Sequence, residues 1–422
     1  MPNIFSTADI LLPKKRFGED AGKFSVIACD QFTSEKAFWE ECAKKIGDAA
    51  SSLNMILPEA YLRDSDERIE KINTAMNDYC ENDSELFFDS MIYVRRTQPD
   101  GRIRCGIVGK IDLEYYDYSE DSSSLVRPTE KTVVERIPPR VKIRENAPLE
   151  LPHIMLLIDD ANKRVIEPLE EIYTSFEKAY AFDLIMGAGH IEGYFIDKKN
   201  IRRIYALLAR YSTKAYSEKY YGINNVKPLL FAVGDGNHSL ATAKAIYKNA
   251  KELYGKEAER MPCRYALVEL VNLYSEALDF EPIYRTVNCK SAEVLSELTD
   301  YVKEKARSSC GGEKDFDIEL ISAIGNETVN VAFPDKSLPV GFVQEILDEF
   351  VISHPECEID YIHGEDSLRS LSNGTTLGIL FGGMSKNDLF RGVISDGVLP
   401  RKTFSMGHAL DKRHYLEARK IK

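Results

Sequence analysis

The chain has no apolar run long enough to span a bilayer, which excludes a transmembrane helix as an expectation. It has no Cys-x-x-Cys pair. Its cysteines, Cys29, Cys42, Cys80, Cys105, Cys263, Cys289, Cys310 and Cys357, stand apart, so neither a zinc ribbon nor a thioredoxin-type motif is supported. Free thiols in a reducing compartment are the expectation. Met1 to Lys15 lacks the basic-then-apolar pattern of a secretory signal, which points to the cytoplasm. Positive charge is also in deficit: 55 Lys and Arg face 68 Asp and Glu, a net charge of -13. That balance argues against general DNA or membrane-surface binding, because neutralising phosphates needs basic surface. A small phosphorylated ligand in a local pocket stays open. Neither a Gly-x-Ser-x-Gly elbow nor a Gly-x-x-x-x-Gly-Lys-[Ser/Thr] loop occurs, and there is no internal repeat or low-complexity tract. What the chain has is length: 422 residues, 44% hydrophobic, enough for two or three lobes with real cores.

The most informative stretch runs from Leu229 to Ala245. An apolar strand-like run ends in Gly234-Asp235-Gly236, the polar triplet Asn237-His238-Ser239 follows, and an Ala-rich helix begins. Strand, glycine turn and helix N-terminus make an anion site. Unpaired N–H groups of the first turn point outward and the helix dipole favours negative charge there. Glycine lets the backbone approach a phosphate closely. Asp235, Asn237, His238 and Ser239 add groups able to bind metal, move protons or hydrogen-bond a substrate. A tight turn whose Asn or Ser merely caps the helix has the same appearance.

Elsewhere the pattern predicts a buried strand at Phe24 to Ala28, running into Asp30, and a helix from Glu35 to Ile46. A second helix is expected at Asp66 to Asn82. Phe87 to Arg96 and Ile103 to Tyr115 flank Asp100-Gly101 and read as a hairpin. Val126 to Arg144 is dense in charge, with Arg127, Glu130 and Arg140 among them. Such a run is either a solvated loop or one that sends charges into a cleft. A strand at Pro152 to Ile158, a helix at Pro168 to Glu177, a strand at Ala179 to Met186 and an extended segment from His190 to Ile196 follow. A long helix, Lys199 to Tyr220, precedes the glycine turn, and the helix after the turn extends to about Tyr254. Tyr265 to Tyr274 and Ala277 to Val287 read as strands of one sheet. From Ser291 the texture changes to short alternating helices and strands, a separate α+β lobe, with a boundary near Ser308 to Lys314.

His190 lies in a His-x-Glu, but the Pro-Cys-x-x-Cys that accompanies that spacing in zinc deaminases is absent. A hydrogen-bonded histidine is expected instead. His153, among apolar strand residues, reads as structural. Asp30 at a strand end either faces a site or forms a turn. The tail from Leu399 to His414 is the one strongly basic segment. It is either solvated or a phosphate clamp.

Three segments carry a resemblance. Gly234-Asp235-Gly236-Asn237-His238-Ser239 with its helix, Arg127-Pro128-Thr129-Glu130-Lys131-Thr132, and Leu399-Pro400-Arg401-Lys402-Thr403 resemble motifs of the DUF1015 family, within the ParB/sulfiredoxin-like superfamily. The likeness covers nearly the whole chain. It implies an α+β fold: a mixed-sheet ParB/sulfiredoxin-like core over 1–290, carrying the hairpin 87–115 as an excursion, and a smaller C-terminal α+β lobe over 291–422. The basic tail would return to the site. The superfamily includes free-serine kinases, whose Asp-Gly-His-x-Arg-like turn Asp235 to Ser239 partly resembles. Ser239 stands where an arginine is often found. Lys402, Lys412 or Arg413 are the candidates to replace that cation. Asn237 stands where sulfiredoxins need a cysteine, which argues against sulfinic-acid reduction.

The resemblance therefore implies a nucleotide-dependent phosphotransferase acting on a small polar metabolite such as free serine, using ATP or ADP with Mg²⁺. Asp235, His238, Glu130 and Asp30 are the expected catalytic groups, with Asp235 also the metal ligand. Gly234, Gly236, Asn237, Ser239, Arg127, Arg140 and Lys402 are expected to bind the cofactor. Nucleic acid and membrane are not expected partners, and a homodimer is left open. The alternative is a nucleotide-binding regulatory protein that hydrolyses slowly or not at all.

Overall fold

A computed structural model describes residues 3–309, 315–323, 325–332 and 338–422. The fold is α+β with one large mixed sheet. The chain divides into two compact units, each built from separated stretches. The first comprises Met1–Pro128, Thr132–Leu278 and His408–Lys422; the second comprises Thr129–Lys131 and Asp279–Gly407. The sequence reading drew one cut at 290. The chain instead passes between units more than once, so His408–Lys422 belongs to the first unit while Leu399 to Gly407 and the three residues Thr129–Lys131 belong to the second. Residues 310–314, where a boundary was expected, lie outside the described residues.

The first unit holds a nine-stranded open sheet. Its order is Val126–Pro128, Phe231–Asp235, Met155–Ile158, Tyr265–Asn272, Ile103–Asp112, Ile92–Thr97, His190–Phe195 and Glu177–Asp183, with Phe5–Ser6 joined to Ile103–Asp112. Phe231–Asp235 runs parallel to Val126–Pro128 and antiparallel to Met155–Ile158. The hairpin forms around Asp100-Gly101, with Tyr93 opposite Ile107 and Gly101 at φ +89°. It is no excursion. Its strands lie mid-sheet because Ile92, Tyr93, Ile107 and Val108 are fully buried, and only a sheet interior can bury such runs.

Other expectations are corrected by tertiary bonds. Phe24 to Ala28 is buried but makes only an isolated bridge, Ile27 with His414. The helix expected at Pro168 to Glu177 is two short 3-10 turns, Glu167–Leu169 and Tyr173–Ser175. There Glu167 is drawn to Asn272 at 2.6 Å and Glu170 to Arg95 at 2.9 Å, which outweighs a weak local helix propensity. The long helix is two, Lys198–Tyr211 and Lys214–Tyr221, because the Thr213 hydroxyl accepts the Tyr216 N–H and starts a new helix. Tyr265–Asn272 and Phe280–Asn288 lie in different sheets, since the chain leaves the first unit after Leu278.

The second unit is a six-stranded sheet with helices Ala292–Ser308, Pro339–Ser353, Glu365–Leu371 and Lys386–Ser395. Among the described residues no helix is long and apolar enough to cross a membrane.

Candidate functional site

The glycine turn is shaped by two backbone demands. The ladder between Phe231–Asp235 and Met155–Ile158 slips at Gly234, between Val233 and Asp235. Gly236 then takes φ +78°, ψ 26°, and a Cβ there would meet the Ile154 Cα at 2.9 Å. An L side chain is excluded on both counts. The helix Asn237–Tyr254 starts at once, fixed by buried Leu240, Ala241, Ala243 and Tyr247, and no side chain caps it. Asn237 and Ser239 are therefore not the cap the bland reading required. The N-cap residue, being glycine, supplies no side-chain acceptor to the positive end of the helix dipole.

Asp235 stands at that end. Its Oδ1 accepts the Gly236 N–H at 2.9 Å. Its Oδ2 is buried without a hydrogen bond and lies 3.5 Å from the Lys412 ammonium. The Asn237 Oδ1 is likewise buried without a hydrogen bond. Buried oxygens of this kind are uncommon unless something binds them.

Asp30 reaches the same region from another part of the chain. The backbone before it is pinned to the tail: the Ala28 N–H donates to the Arg413 carbonyl at 3.0 Å, and the Cys29 N–H to the Tyr415 hydroxyl at 3.1 Å. Asp30 Oδ2 lies 3.4 Å from His153 Nε2, with His153 5% exposed and Asp30 28%. The same Nε2 is 3.4 Å from the Ser239 hydroxyl, and His153 Nδ1 is 2.7 Å from the Tyr415 hydroxyl. Burial alone would raise the Asp30 carboxyl, but the charge and hydrogen bond of His153 hold it below the usual carboxylate range. Burial alone would lower His153, but Asp30, with help from Asp235, raises it above the usual imidazole value. Each member of the pair therefore favours the charged form of the other.

His238 is different. Its Nε2 accepts the Val133 N–H at 3.3 Å. Burial first, then the charges of Arg140 and Arg136, push it down to about 4. At neutral pH it is uncharged with its remaining proton on Nδ1, a hydrogen-bond donor rather than an acid.

Arg140 comes from Ile137–Arg144 and pairs with Glu59, while its Nη1 donates to the Arg136 carbonyl at 2.9 Å. Arg127 is buried, and its guanidinium goes to the carbonyls of Ser122, Lys227 and Pro228. It ties loops together. Glu130 and Lys402 belong to the second unit. There the Glu130 carboxylate accepts the Thr403 N–H at 3.1 Å, and the Thr129 carbonyl accepts the Leu399 N–H at 2.8 Å. Burial raises the Glu130 carboxyl, against the Lys402 and Thr403 amides. Lys402 is exposed, at φ +59°.

Sequence reasoning set His153 aside and gave Tyr415 no role. His153 looked structural because apolar residues surround it. The available signal was its place two residues before Met155, which opens the strand that pairs with the motif strand. The tail is divided: Arg401 and Lys402 are exposed, whereas Thr403, Asp411, Arg413 and His414, and Tyr415 and Glu417 beyond them, are buried. His190 is hydrogen-bonded, to Asp183 at 2.6 Å, but sits at the surface.

A cavity of about 150 Å³ adjoins the cluster. Cys29, Glu59, Arg140, Ser239, Thr242 and Tyr415 are among the residues that line it. Among the described residues no three His, Cys, Asp or Glu gather in a way that could hold a metal by themselves.

Several solved structures are similar to this chain. A free serine kinase in complex with AMP is 12% identical, with TM-score 0.34, covering 74% of this chain and 90% of that one. A mutant free serine kinase in complex with ADP is 13% identical, with TM-score 0.35, covering 76% and 93%. A C-terminally truncated SbnI from Staphylococcus aureus is 10% identical, with TM-score 0.34, covering 71% and 82%. No curated protein matches the chain. Residues 11–355 match the family model described as "Protein of unknown function (DUF1015)", and the chain belongs to that family.

Proposed function

We propose that the protein is a nucleotide-dependent phosphotransferase acting on a small metabolite in the cytoplasm. One observation carries the reading: an ionised Asp30, held by His153, and the Asp235 carboxylate both border a helix N-terminus that no side chain caps. Phosphoryl transfer has a loose transition state, so positioning and charge neutralisation matter more than strong acid or base catalysis. The amides from Gly234 to Ser239 cradle the nucleotide's terminal phosphates. Neutral His238 donates its Nδ1–H to a phosphate oxygen. Lys412, 3.5 Å from Asp235, supplies the cation absent at position 239. Asp30 orients the acceptor hydroxyl and takes its proton as the terminal phosphoryl group leaves the bridging oxygen for the acceptor oxygen. His153 is a positioning residue that keeps Asp30 charged. Glu130 and Lys402 shape the second unit, and Arg127 keeps a structural role.

The donor set suits Mg²⁺ carried in with the nucleotide. That ion takes one or two carboxylates and otherwise phosphates and water, and the buried Asp235 Oδ2 and Asn237 Oδ1 are hard oxygens without hydrogen bonds. Bound there it would neutralise phosphate charge. The partial likeness of Asp235 to Ser239 to the turn of free-serine kinases supports the same reading.

A nucleotide-binding regulator is the second reading. The pairing of Asp235 with Lys412 favours it, because a compensated carboxylate can hold nucleotide without turning it over. Purified protein assayed with ATP or ADP, Mg²⁺ and a metabolite mixture separates the two. Metabolite-dependent phosphorylation that Asp235→Asn abolishes, with the melting transition kept, supports the phosphotransferase. Activity unchanged in Asp235→Asn overturns the assigned role, and turnover indifferent to every metabolite leaves the regulator.

A further inference from the structure

The cavity beside Ser239 and Tyr415 has a composition that free serine does not explain. Its wall is aliphatic: Met55, Leu57, Met76, Ile143, Leu149 and Leu151 lead it, and no Phe or Trp lines it. Most of these side chains are under a tenth exposed, so the space is sheltered. A serine side chain would leave such a wall uncovered. A nucleobase would find one aromatic ring in the lining, Tyr415, already bonded to His153 and the Cys29 N–H, and the guanidiniums of Arg140 and Arg144, already paired with Glu59 and Glu150.

The polar part of the wall is specific. Arg140 and Glu59, 18% and 19% exposed, form an ion pair within the cavity lining. A ligand with one charge would satisfy one partner and strand the other, which is costly in a partly desolvated site. A ligand with both charges replaces the pair. Its carboxylate takes the planar Arg140 fork and its ammonium takes Glu59. Elsewhere in the lining Cys29 directly precedes Asp30 in sequence, and Ser239 and Tyr415 both contact the histidine that holds Asp30.

We infer that this cavity binds a zwitterionic α-amino acid with an aliphatic side chain of about leucine size, charged groups on Arg140 and Glu59 and side chain against the Met55–Leu151 wall. Its identity as the phosphoryl acceptor, hydroxylated at the end nearest Asp30, rests on the phosphotransferase reading. The binding itself does not.

The test is calorimetry on the full chain without nucleotide. The probes are L-leucine, L-serine, 4-methylpentanoate and 3-methylbutylamine. L-leucine is expected to bind at least roughly tenfold tighter than L-serine, from the buried apolar area, and at least roughly tenfold tighter than either singly charged analogue, from the stranded partner. Ala147→Trp, which fills the lined space, is expected to abolish leucine binding. Should that variant fail to melt cooperatively, Glu59→Gln replaces it, with leucine affinity expected to fall while 4-methylpentanoate is spared. Equal or tighter binding of L-serine, equal binding of a singly charged analogue, or no heat with any amino acid overturns the inference. A protein that binds leucine yet phosphorylates nothing loses the phosphotransferase reading and keeps this site. One that phosphorylates serine yet ignores leucine does the reverse.

Discussion

Two buried charge clusters in the first unit use the same C-terminal segment in opposite ways. Around Arg413 each charge has at least one opposite partner, although Glu269 Oε1 and Arg104 Nε, 3.6 Å apart, are buried without a hydrogen bond. The Arg413 Nε donates to the Pro152 carbonyl at 3.1 Å, its Nη2 to Glu417 at 2.6 Å and its Nη1 to Glu269. Tyr180 donates to the other oxygen of Glu417. Six residues on, Arg419 and Arg144 both grip Glu150, which also accepts the Leu267 N–H. Around Lys412 the charges are under-matched. Asp235 and Asn237 keep buried oxygens without hydrogen bonds, and the helix beside them has no side-chain cap. The Arg413 cluster is multiply paired and holds the tail, whereas Asp235 has a single cation, Lys412 at 3.5 Å; under the proposed function the first is an anchor and the second a receptor. Adjacent residues thus carry different duties: Arg413 locks the tail, and that lock delivers Lys412 and Tyr415 to the site.

The contrast breaks most sharply by mutating each side. Glu269→Ala removes one of the two carboxylates on Arg413 and leaves Arg104, 3.6 Å away, without its carboxylate. The expected loss is about 3–5 kcal/mol in denaturant unfolding, because a buried charge without its partner is among the costliest defects. Asp30→Asn is expected to change stability by less than about 2 kcal/mol but to lower metabolite phosphorylation by about 10²-fold or more in a steady-state assay. If Asp30→Asn unfolds the protein while Glu269→Ala does not, the anchor and receptor are misassigned.

Gly236→Ala comes next. Positive φ and the Ile154 contact predict a loss of about 1–3 kcal/mol, together with weakened nucleotide binding measured by calorimetry. The histidines sharpen the picture through pH. His153 is raised, so its contribution to stability is full below the unfolded histidine value and is lost as pH rises through its folded value. His238 is lowered to about 4, so its neutral burial costs stability as pH falls from the unfolded value toward 4. NMR titration is expected to show one imidazole titrating near 4 and another above the free value, with Asp30→Asn lowering the latter alone. The smallest effect is a control: Asp197→Ala removes the cap of Lys198–Tyr211, costing about 1 kcal/mol with nucleotide binding unchanged.

Local chemistry was legible in the sequence and long-range pairing was not. Asp100-Gly101 announced a hairpin, and Gly234-Asp235-Gly236 announced a strand, a turn and a helix, because glycine and turn residues fix backbone geometry within a few positions. The second unit's helices were readable from their periodicity, as at Ala292–Ser308 and Lys386–Ser395. The hairpin's mid-sheet place was not, because strand order is set by partners far along the chain. The break at Thr213 was hidden because a capping hydroxyl inside a helical pattern looks like an ordinary polar position. At the site, Asp30 and Asp235 were named from their places at strand ends. His153 was passed over for its apolar neighbours, and its meaning depends on Asp30, 123 positions away in sequence. Arg127 was overvalued: a buried guanidinium bonded to carbonyls and one facing a phosphate share the same sequence signature.

The central claim is that the amides opening Asn237–Tyr254 receive a phosphoryl group. Backbone amide NMR of the full chain during titration with Mg²⁺–ADP tests it most directly. The account predicts the largest shifts at Gly236, Asn237, His238 and Ser239, and their loss in Asp235→Asn. Saturating nucleotide that leaves those four amides unmoved would contradict it.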